Sequence, residues 1–370
     1  MKVIQILPEL NAGGVERGTL EVAARLVADG HQSIVISNGG RLVAELEKAG
    51  SRHFEMPVHR KSLASLTQVA ALRKVFIREK PDIIHLRSRL PAWLAWLAWK
   101  SMDPRTRPRL VTTVHGFYSV NAYSAIMTKG EAVIAVSESV KEYILANYPK
   151  TDPSRVRVIH RGVDEKEVYP VDFSPSTDWL EKWQAAHPKL EGRIILLMPA
   201  RLTRWKGQVD FVRLIAKLIE RGLPVHGLIV GEPHPKKLAF LDELNALAAT
   251  LNVSECVTFL GHRSDLREIM SVSTLIYSLS LAPEAFGRVS LEAMALGKPC
   301  VGYDHGGVAE QLAVIFPEGR VAVGDVEAAL AATLGILDQH KKPVSIGPFT
   351  LRRMLDSTMD VYEKLLASRL

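Results

Sequence analysis

Short runs of consecutive apolar residues alternate along this chain with longer stretches in which apolar residues return every three or four positions. The runs VIQIL, SIVIS, DIIHL, LVTTV and AVIAVS are each bounded by polar or turn residues and read as strands buried on both faces. Between them, Arg17 to Asp29 and Leu66 to Lys80 carry helical spacing. Strands alternating with helices predict a parallel sheet with crossover helices. RVIH closes this series, and RIILLMPA, HGLIVG, VTFLG, TLIYSLS and PCVGY form a second. Two doubly wound domains in tandem are therefore expected, with no sequence repeat between the halves. Val168 to Trp183 is rich in proline and small polar residues and reads as the hinge. The last helix is expected over Thr350 to Leu370, where Leu351, Met354, Leu355, Met359, Tyr362, Leu365 and Leu366 recur at helical spacing.

The densest chemistry lies in PEAFGRVSLEAMALGKPCVGYDHGGVAE, from Pro283 to Glu310. Arg288 to Leu296 has helix-forming composition, closed by Gly297 and Pro299, so a helix is expected to start near Gly287. The first N–H groups of such a helix lack intrahelical partners and carry the positive end of its dipole, which suits a phosphate. Glu284 then precedes the helix and Glu292 lies about one and a half turns into it. Carboxylates beside a phosphate repel it, so both are read as acceptors of hydroxyl hydrogen bonds, Glu284 from a sugar and Glu292 from a ribose. A nucleotide-sugar carries both groups on either side of a diphosphate.

This segment resembles the signature of the retaining glycosyltransferases of family 4 (group 1), a Glu, seven residues and a Glu followed by a Gly-Gly loop. The resemblance implies a GT-B fold, two Rossmann-like α/β domains facing an interdomain cleft. It implies residues 1–169 as an acceptor-binding domain, residues 170–349 as a nucleotide-sugar-binding domain, and residues 350–370 as a helix crossing back to the first. It carries the donor sugar onto Glu284, the ribose onto Glu292, and the phosphate onto the backbone of Phe286, Gly287, Arg288 and Val289. In MPARLTRWKGQ the order A-R-x-x-x-x-K-G matches the family's diphosphate grip, which assigns Arg201 and Lys206; Arg204 has no family role. Arg supplies a planar fork for phosphate oxygens and Lys a point charge. Asn11 to Arg17 resembles the family's N-terminal GGxER loop, which assigns Gly13 and Gly14 to the substrate side. His115, after LVTTV, matches a histidine near the donor sugar; His85 matches too, while many relatives have a second histidine where Arg87 stands. Gly231, Glu232, Gly261 and His262 fall where the family lines its nucleotide pocket, and Ser137 and Arg161-Gly162-Val163-Asp164 at further strand-end landmarks. Beyond Glu310 the match is weakest.

No GxGxxG or GxxxxGK occurs, which argues against ordinary dinucleotide and P-loop sites. No Asp-x-Asp occurs either, so no metal ligand is assigned and activity is expected without metal. No cofactor is expected, the donor being a UDP- or GDP-linked substrate. The formal net charge is +7, with 25 Lys and Arg against 17 Asp and Glu in residues 1–170, or +8, and 22 against 23, or −1, in the remainder. A basic first half favours an anionic partner; an acidic glycolipid acceptor and a peripheral contact with an anionic membrane are the readings taken, nucleic acid not. Trp93, Trp96 and Trp99, near Arg105, Arg107 and Arg109, suit either core packing or a membrane interface. The start MKVIQILPEL is too soon broken by Pro8 for a signal peptide, and Leu110 to Thr128, although free of charge, holds His115 and several hydroxyls. Cys256 and Cys300 read as buried free thiols of a reducing compartment. The chain is accordingly expected to be cytoplasmic, at the inner face of a membrane. The function expected is transfer of a sugar with retention to a glycan or glycolipid, in bacterial surface polysaccharide or lipopolysaccharide core synthesis. A nucleotide-sugar epimerase of the same build and a non-catalytic nucleotide-sugar-binding protein are the alternatives.

Overall fold

Among the described residues of the computed structural model, 1–11, 13–60, 66–232 and 239–368, every pairing between named strands is parallel. The first of two units comprises Met1–Arg161 and Arg352–Leu370. Its strands are β1 (Lys2–Ile6), β2 (Gln32–Ser37), β3 (Arg52–Glu55), β4 (Ile83–Leu86), β5 (Arg109–Val114), β6 (Ala132–Ala135) and β7 (Val156–Val158), in the order β3-β2-β1-β4-β5-β6-β7. The second unit, Gly162–Leu351, holds β8 (Ile194–Pro199), β9 (Val225–Val230), β10 (Val257–Gly261), β11 (Leu275–Ser278), β12 (Cys300–Tyr303) and β13 (Arg320–Val321), ordered β10-β9-β8-β11-β12-β13.

Counted from each unit's own first strand, both sheets share the order 3-2-1-4-5-6, to which the first adds a seventh strand at its edge. The halves are thus structural cousins without a shared sequence, because buried parallel strands joined by right-handed crossovers admit few orders. Where the order reverses, between β1 and β4 and between β8 and β11, successive loops diverge and open a crevice at the carboxyl ends of the strands. Central strands are apolar and buried along nearly their whole length, as in Leu110, Val111 and Val114 of β5 and Leu196, Leu197 and Met198 of β8. The pattern missed β3, whose sequence RHFE is polar and lies at the sheet edge, and the two-residue β13.

The chain changes unit at Arg161/Gly162 and returns at Leu351/Arg352. Its entry into and exit from the second unit are paired there: Val163 N–H donates to Phe349 O at 3.2 Å and Leu351 N–H to Val163 O at 2.8 Å. The stretch read as a hinge is built into the second unit instead. Ser176 caps the helix Thr177–Ala186 by accepting from Trp179 N–H, Trp183 is buried in the core, and Tyr169, Phe173 and Trp179 pack beside it. Four aromatic side chains carry more apolar surface than a linker can leave in water. The closing helix runs Leu351–Ala367; from Arg352 it belongs to the first unit, where Tyr362 hydroxyl meets His85 Nδ1 at 2.6 Å. Cys300 is buried in β12, which pushes its thiol up to about 12. Cys256 is only half-buried, because it ends the turn Ser254–Cys256 ahead of β10.

Candidate active site

In the second unit the predicted donor residues gather on one edge because the strands are parallel and all end there. The loops after β8, β9 and β10 are joined by backbone hydrogen bonds: Ala200 N–H to Val230 O, Leu202 N–H to Glu232 O and Gly231 N–H to Gly261 O. Arg201 is exposed directly after β8, and Glu232 and His262 are exposed after β9 and β10. Across the point of reversal, Leu281 N–H after β11 donates to Trp205 O at 2.6 Å. This brings Lys206 and Glu284, which lie 78 positions apart, into contact: Lys206 Nζ donates to Glu284 Oε1 at 2.7 Å.

The pair is mostly withdrawn from water, with side-chain exposures of 13% for Lys206 and 21% for Glu284. Ser280 hydroxyl donates to the same carboxylate oxygen at 2.5 Å, and the Trp205 ring lies 4.3 Å from the ammonium. An ammonium has three donors, so one bond to Glu284 leaves others for an anion. The sequence reading gave Lys206 to the diphosphate and Glu284 to the sugar as separate parts; their contact makes them one electrostatic unit. Arg204, without a family role, is engaged by Glu243 at 2.5 Å and lies over Phe240.

The helix after β11 spans Arg288–Ala295, and no side chain caps it; Gly287 stands at its start with φ 84°. A left-handed φ is cheap only for glycine, and the missing cap leaves first-turn N–H groups to a ligand. The helices Gln208–Glu220, Gly306–Ile315 and Gly14–Ala28 likewise begin without a side-chain cap. Side-chain caps are present on Glu138–Asn147, from Ser137, and on Val326–Asp338, from Asp325, while Thr67–Glu79 and Arg89–Lys100 also begin without one. Ser137, a landmark of the family pattern, is thus a helix cap. Glu292 lies on the helix and accepts from Arg288 Nε at 3.3 Å.

The residues that hold this loop were missed by the sequence reading. Gln311 is fully buried; its amide nitrogen donates to Phe286 O at 2.5 Å and Gly287 O at 3.1 Å, while its oxygen accepts from Ser290 hydroxyl at 2.8 Å. His305 Nε2 donates to Ser280 O at 2.6 Å. Gly307 N–H donates to Glu284 O at 2.8 Å. A glutamine inside the apolar face of GGVAEQLAVI was the available signal, since a buried amide needs partners.

Gly13, Gly14 and His115 stand in the first unit, on the carboxyl edge of its sheet, and Ala12 lies outside the described residues. His115 follows β5; its Nδ1 lies 2.9 Å from Arg161 Nη2, and its Nε2 is buried without a partner among the described residues. Burial first, then the charges of Arg161 and Arg87, holds its pKa well below the ordinary histidine value. His85 is more enclosed, bonded through both ring nitrogens to Tyr362 and Thr113. Arg87 is buried too and donates to Gln5 Oε1 at 2.7 Å, so it is part of the core polar network rather than an open ligand contact. On the helix Arg89–Lys100, Trp99 is buried under Arg107 and bonded to Pro108 O. Trp93 bonds Tyr123 O, and Trp96 is half-buried beneath Lys100 and Lys129. Trp93 and Trp99 are therefore committed to packing within the unit.

Two nucleotide-binding-type sheets of one topology, with a lysine–glutamate pair and uncapped glycine-started helices at the reversal of the second, define an α/β protein of GT-B architecture. The chain belongs to the glycosyltransferases of family 4, group 1: a family model described as Glycosyltransferase Family 4 matches residues 12–167, and one described as Glycosyl transferases group 1 matches residues 180–348. It is 32% identical to a glycosyltransferase from Rickettsia africae over 99% of this chain and 98% of that one, with a TM-score of 0.85. It is 27% identical to the N-acetyl-alpha-D-glucosaminyl L-malate synthase of Bacillus anthracis, over 83% of this chain and 79% of that protein. Anabaena HepE, solved with UDP-glucose, shares the fold at a TM-score of 0.80 and 21% identity, over 98% of this chain and all of that one.

Proposed function

We propose that this glycosyltransferase moves a sugar from a nucleotide diphosphate to a glycan or glycolipid acceptor, with retention at the anomeric carbon and without a metal. The observation that carries the reading is the Lys206–Glu284 contact at the point of strand reversal, beside a helix that begins uncapped at Gly287. In this reading Lys206, Arg201 and the first-turn N–H groups hold the diphosphate, Glu284 a hydroxyl of the transferred sugar, and Glu292 the ribose. Gly231, Glu232, Gly261 and His262 line the base, and His115 donates to an oxygen of the sugar. The bond from the anomeric carbon to the diphosphate oxygen breaks while a bond to the acceptor oxygen forms on the same face. The acceptor proton passes to the departing diphosphate, whose growing charge the cations and helix dipole stabilise. A UDP- or GDP-linked donor suits the site, and the basic first half supports an anionic glycolipid of a bacterial surface, met at the cytoplasmic face of a membrane.

Thermal-shift screening of a nucleotide-sugar panel, then turnover on lipid-linked acceptors in anionic vesicles with and without chelator, tests this. One donor should stabilise the protein and be consumed only with acceptor, chelator should change nothing, and co-sedimentation with the vesicles should weaken as salt rises. Donor conversion without acceptor would place the chain with the epimerases, and rescue by Mg²⁺ or Mn²⁺ after chelation would overturn the metal-free mechanism.

The two glutamates are separable by calorimetry. Glu292→Ala is expected to weaken nucleotide diphosphate and nucleotide-sugar alike, by about 1.5 to 3 kcal/mol for a hydrogen bond to a charged group. Glu284→Ala should slow turnover strongly while changing affinity for the free nucleotide diphosphate less. Equal weakening of that ligand by both substitutions would show that Glu284 is misplaced in this reading.

A further inference from the structure

We propose that Arg161 is a positioning residue that locks His115 in the tautomer carrying its proton on Nε2. The contact is 2.9 Å from Arg161 Nη2 to His115 Nδ1. A guanidinium only donates hydrogen bonds, so Nδ1 must be the bare, accepting nitrogen. A neutral imidazole then has its single N–H on Nε2. The imidazolium is disfavoured by the same geometry, since it would set N–H against N–H, and by burial beside two arginines.

The two ends of the contact support this assignment independently. Arg161 is 7% exposed, and its guanidinium crosses the helix Gly14–Ala28 at Gly18, where a Cβ would stand 2.4 Å from Nη1. Glycine inside a helix costs about 1 kcal/mol relative to alanine, and here its bare backbone makes room for the arginine. At the other end Nε2 is buried with no partner among the described residues. A buried donor left unsatisfied is costly, and a ligand oxygen is what such a donor accommodates. In this state His115 gives a hydrogen bond and does not take a proton, so it serves as a donor to a sugar oxygen and not as the base for the acceptor hydroxyl. This assignment of role rests on the proposed function; the tautomer itself does not.

The test is ¹⁵N NMR of the full chain labelled at histidine, with the His115 signals identified by their absence from His115→Asn. The wild type should show a protonated Nε2 and an unprotonated Nδ1. Arg161→Met should mix the tautomers and lower kcat roughly 10- to 100-fold, a range typical of losing one preorganised contact or its alignment, with the donor KM nearly unchanged. Arg161→Lys, which keeps a donor, should restore part of both. Gly18→Ala supplies a second route where Arg161→Met folds poorly, because alanine favours the helix while its Cβ displaces the guanidinium; the same spectral change is expected. A wild-type His115 protonated on Nδ1, or an unchanged signature in both variants, overturns the proposal. The expected signature together with wild-type turnover of His115→Ala would instead uphold the lock and remove His115 from the reaction.

Discussion

Lys206→Ala is expected to lower kcat about 100- to 1,000-fold, the loss that follows removal of one preorganised donor to a developing anion. The substitution takes away the cation nearest Glu284 and leaves that carboxylate with Ser280 hydroxyl in a setting where each side chain of the pair is at least three-quarters covered. An ion pair broken from one side in such a place costs more than it contributed when whole, because the remaining charge stays desolvated. The consequence is non-additivity. Glu284→Ala made on top of Lys206→Ala should cost about 1 to 3 kcal/mol less than Glu284→Ala alone. Single-turnover rates and melting curves for the two single variants and the double variant give the coupling. Strictly additive effects in both measurements would mean that the pair does not act as a unit.

Gly307→Ala should lower stability by about 1 to 3 kcal/mol, the usual cost of forcing atoms into a filled interior, and turnover roughly 100-fold. Gly307 is the second glycine of the Gly-Gly loop, and a Cβ on it would stand 2.4 Å from Phe286 Cα, 2.7 Å from Phe286 O and 2.8 Å from Ala285 O. These are all backbone atoms, which cannot turn aside as a side-chain end would. The loop of Glu284 to Gly287 must move, and with it the carboxylate and the helix start. A misplacement of about 1 Å far smaller than any unfolding is enough for the rate effect. Gly335→Ala is the control: Gly335 lies in the helix Val326–Asp338 with nothing within 4 Å of its added Cβ, so alanine should stabilise by up to about 1 kcal/mol. Wild-type melting and turnover in Gly307→Ala would refute the argument.

Much of the molecule was legible before the structure. Strands that are apolar throughout have one environment available to them, so the central strands of both sheets were found, and their alternation with helical segments implied parallel pairing. Gly287 followed by helix-forming residues and closed by Gly297 and Pro299 located the helix, which runs Arg288–Ala295. The polar edge strand RHFE left no periodic signal, since an edge position does not demand apolar residues on both faces. The supposed hinge failed for a related reason. Proline and serine in Val168 to Trp183 suggested a linker, while the four aromatics that fasten it to the core of the second unit outweighed them.

What the sequence by itself determined was the local chemistry: which residue types stand at strand ends, where a glycine opens a helix, and that no Asp-x-Asp is present for a metal. Tertiary structure alone decided the partnerships. Lys206 meets Glu284 because β8 and β11 are neighbours at the point where strand order reverses. Gln311 reaches the carbonyls of Phe286 and Gly287 because the helix after β12 packs beside the loop after β11. Arg161 reaches His115 because the loops after β5 and β7 end on one sheet edge, over a helix whose Gly18 clears the way. The physical reason is the range of the interactions. Propensity, capping and periodicity act over a few residues and are written in the local string, whereas hydrogen bonds and ion pairs act over about 3 Å between positions that only strand order brings together.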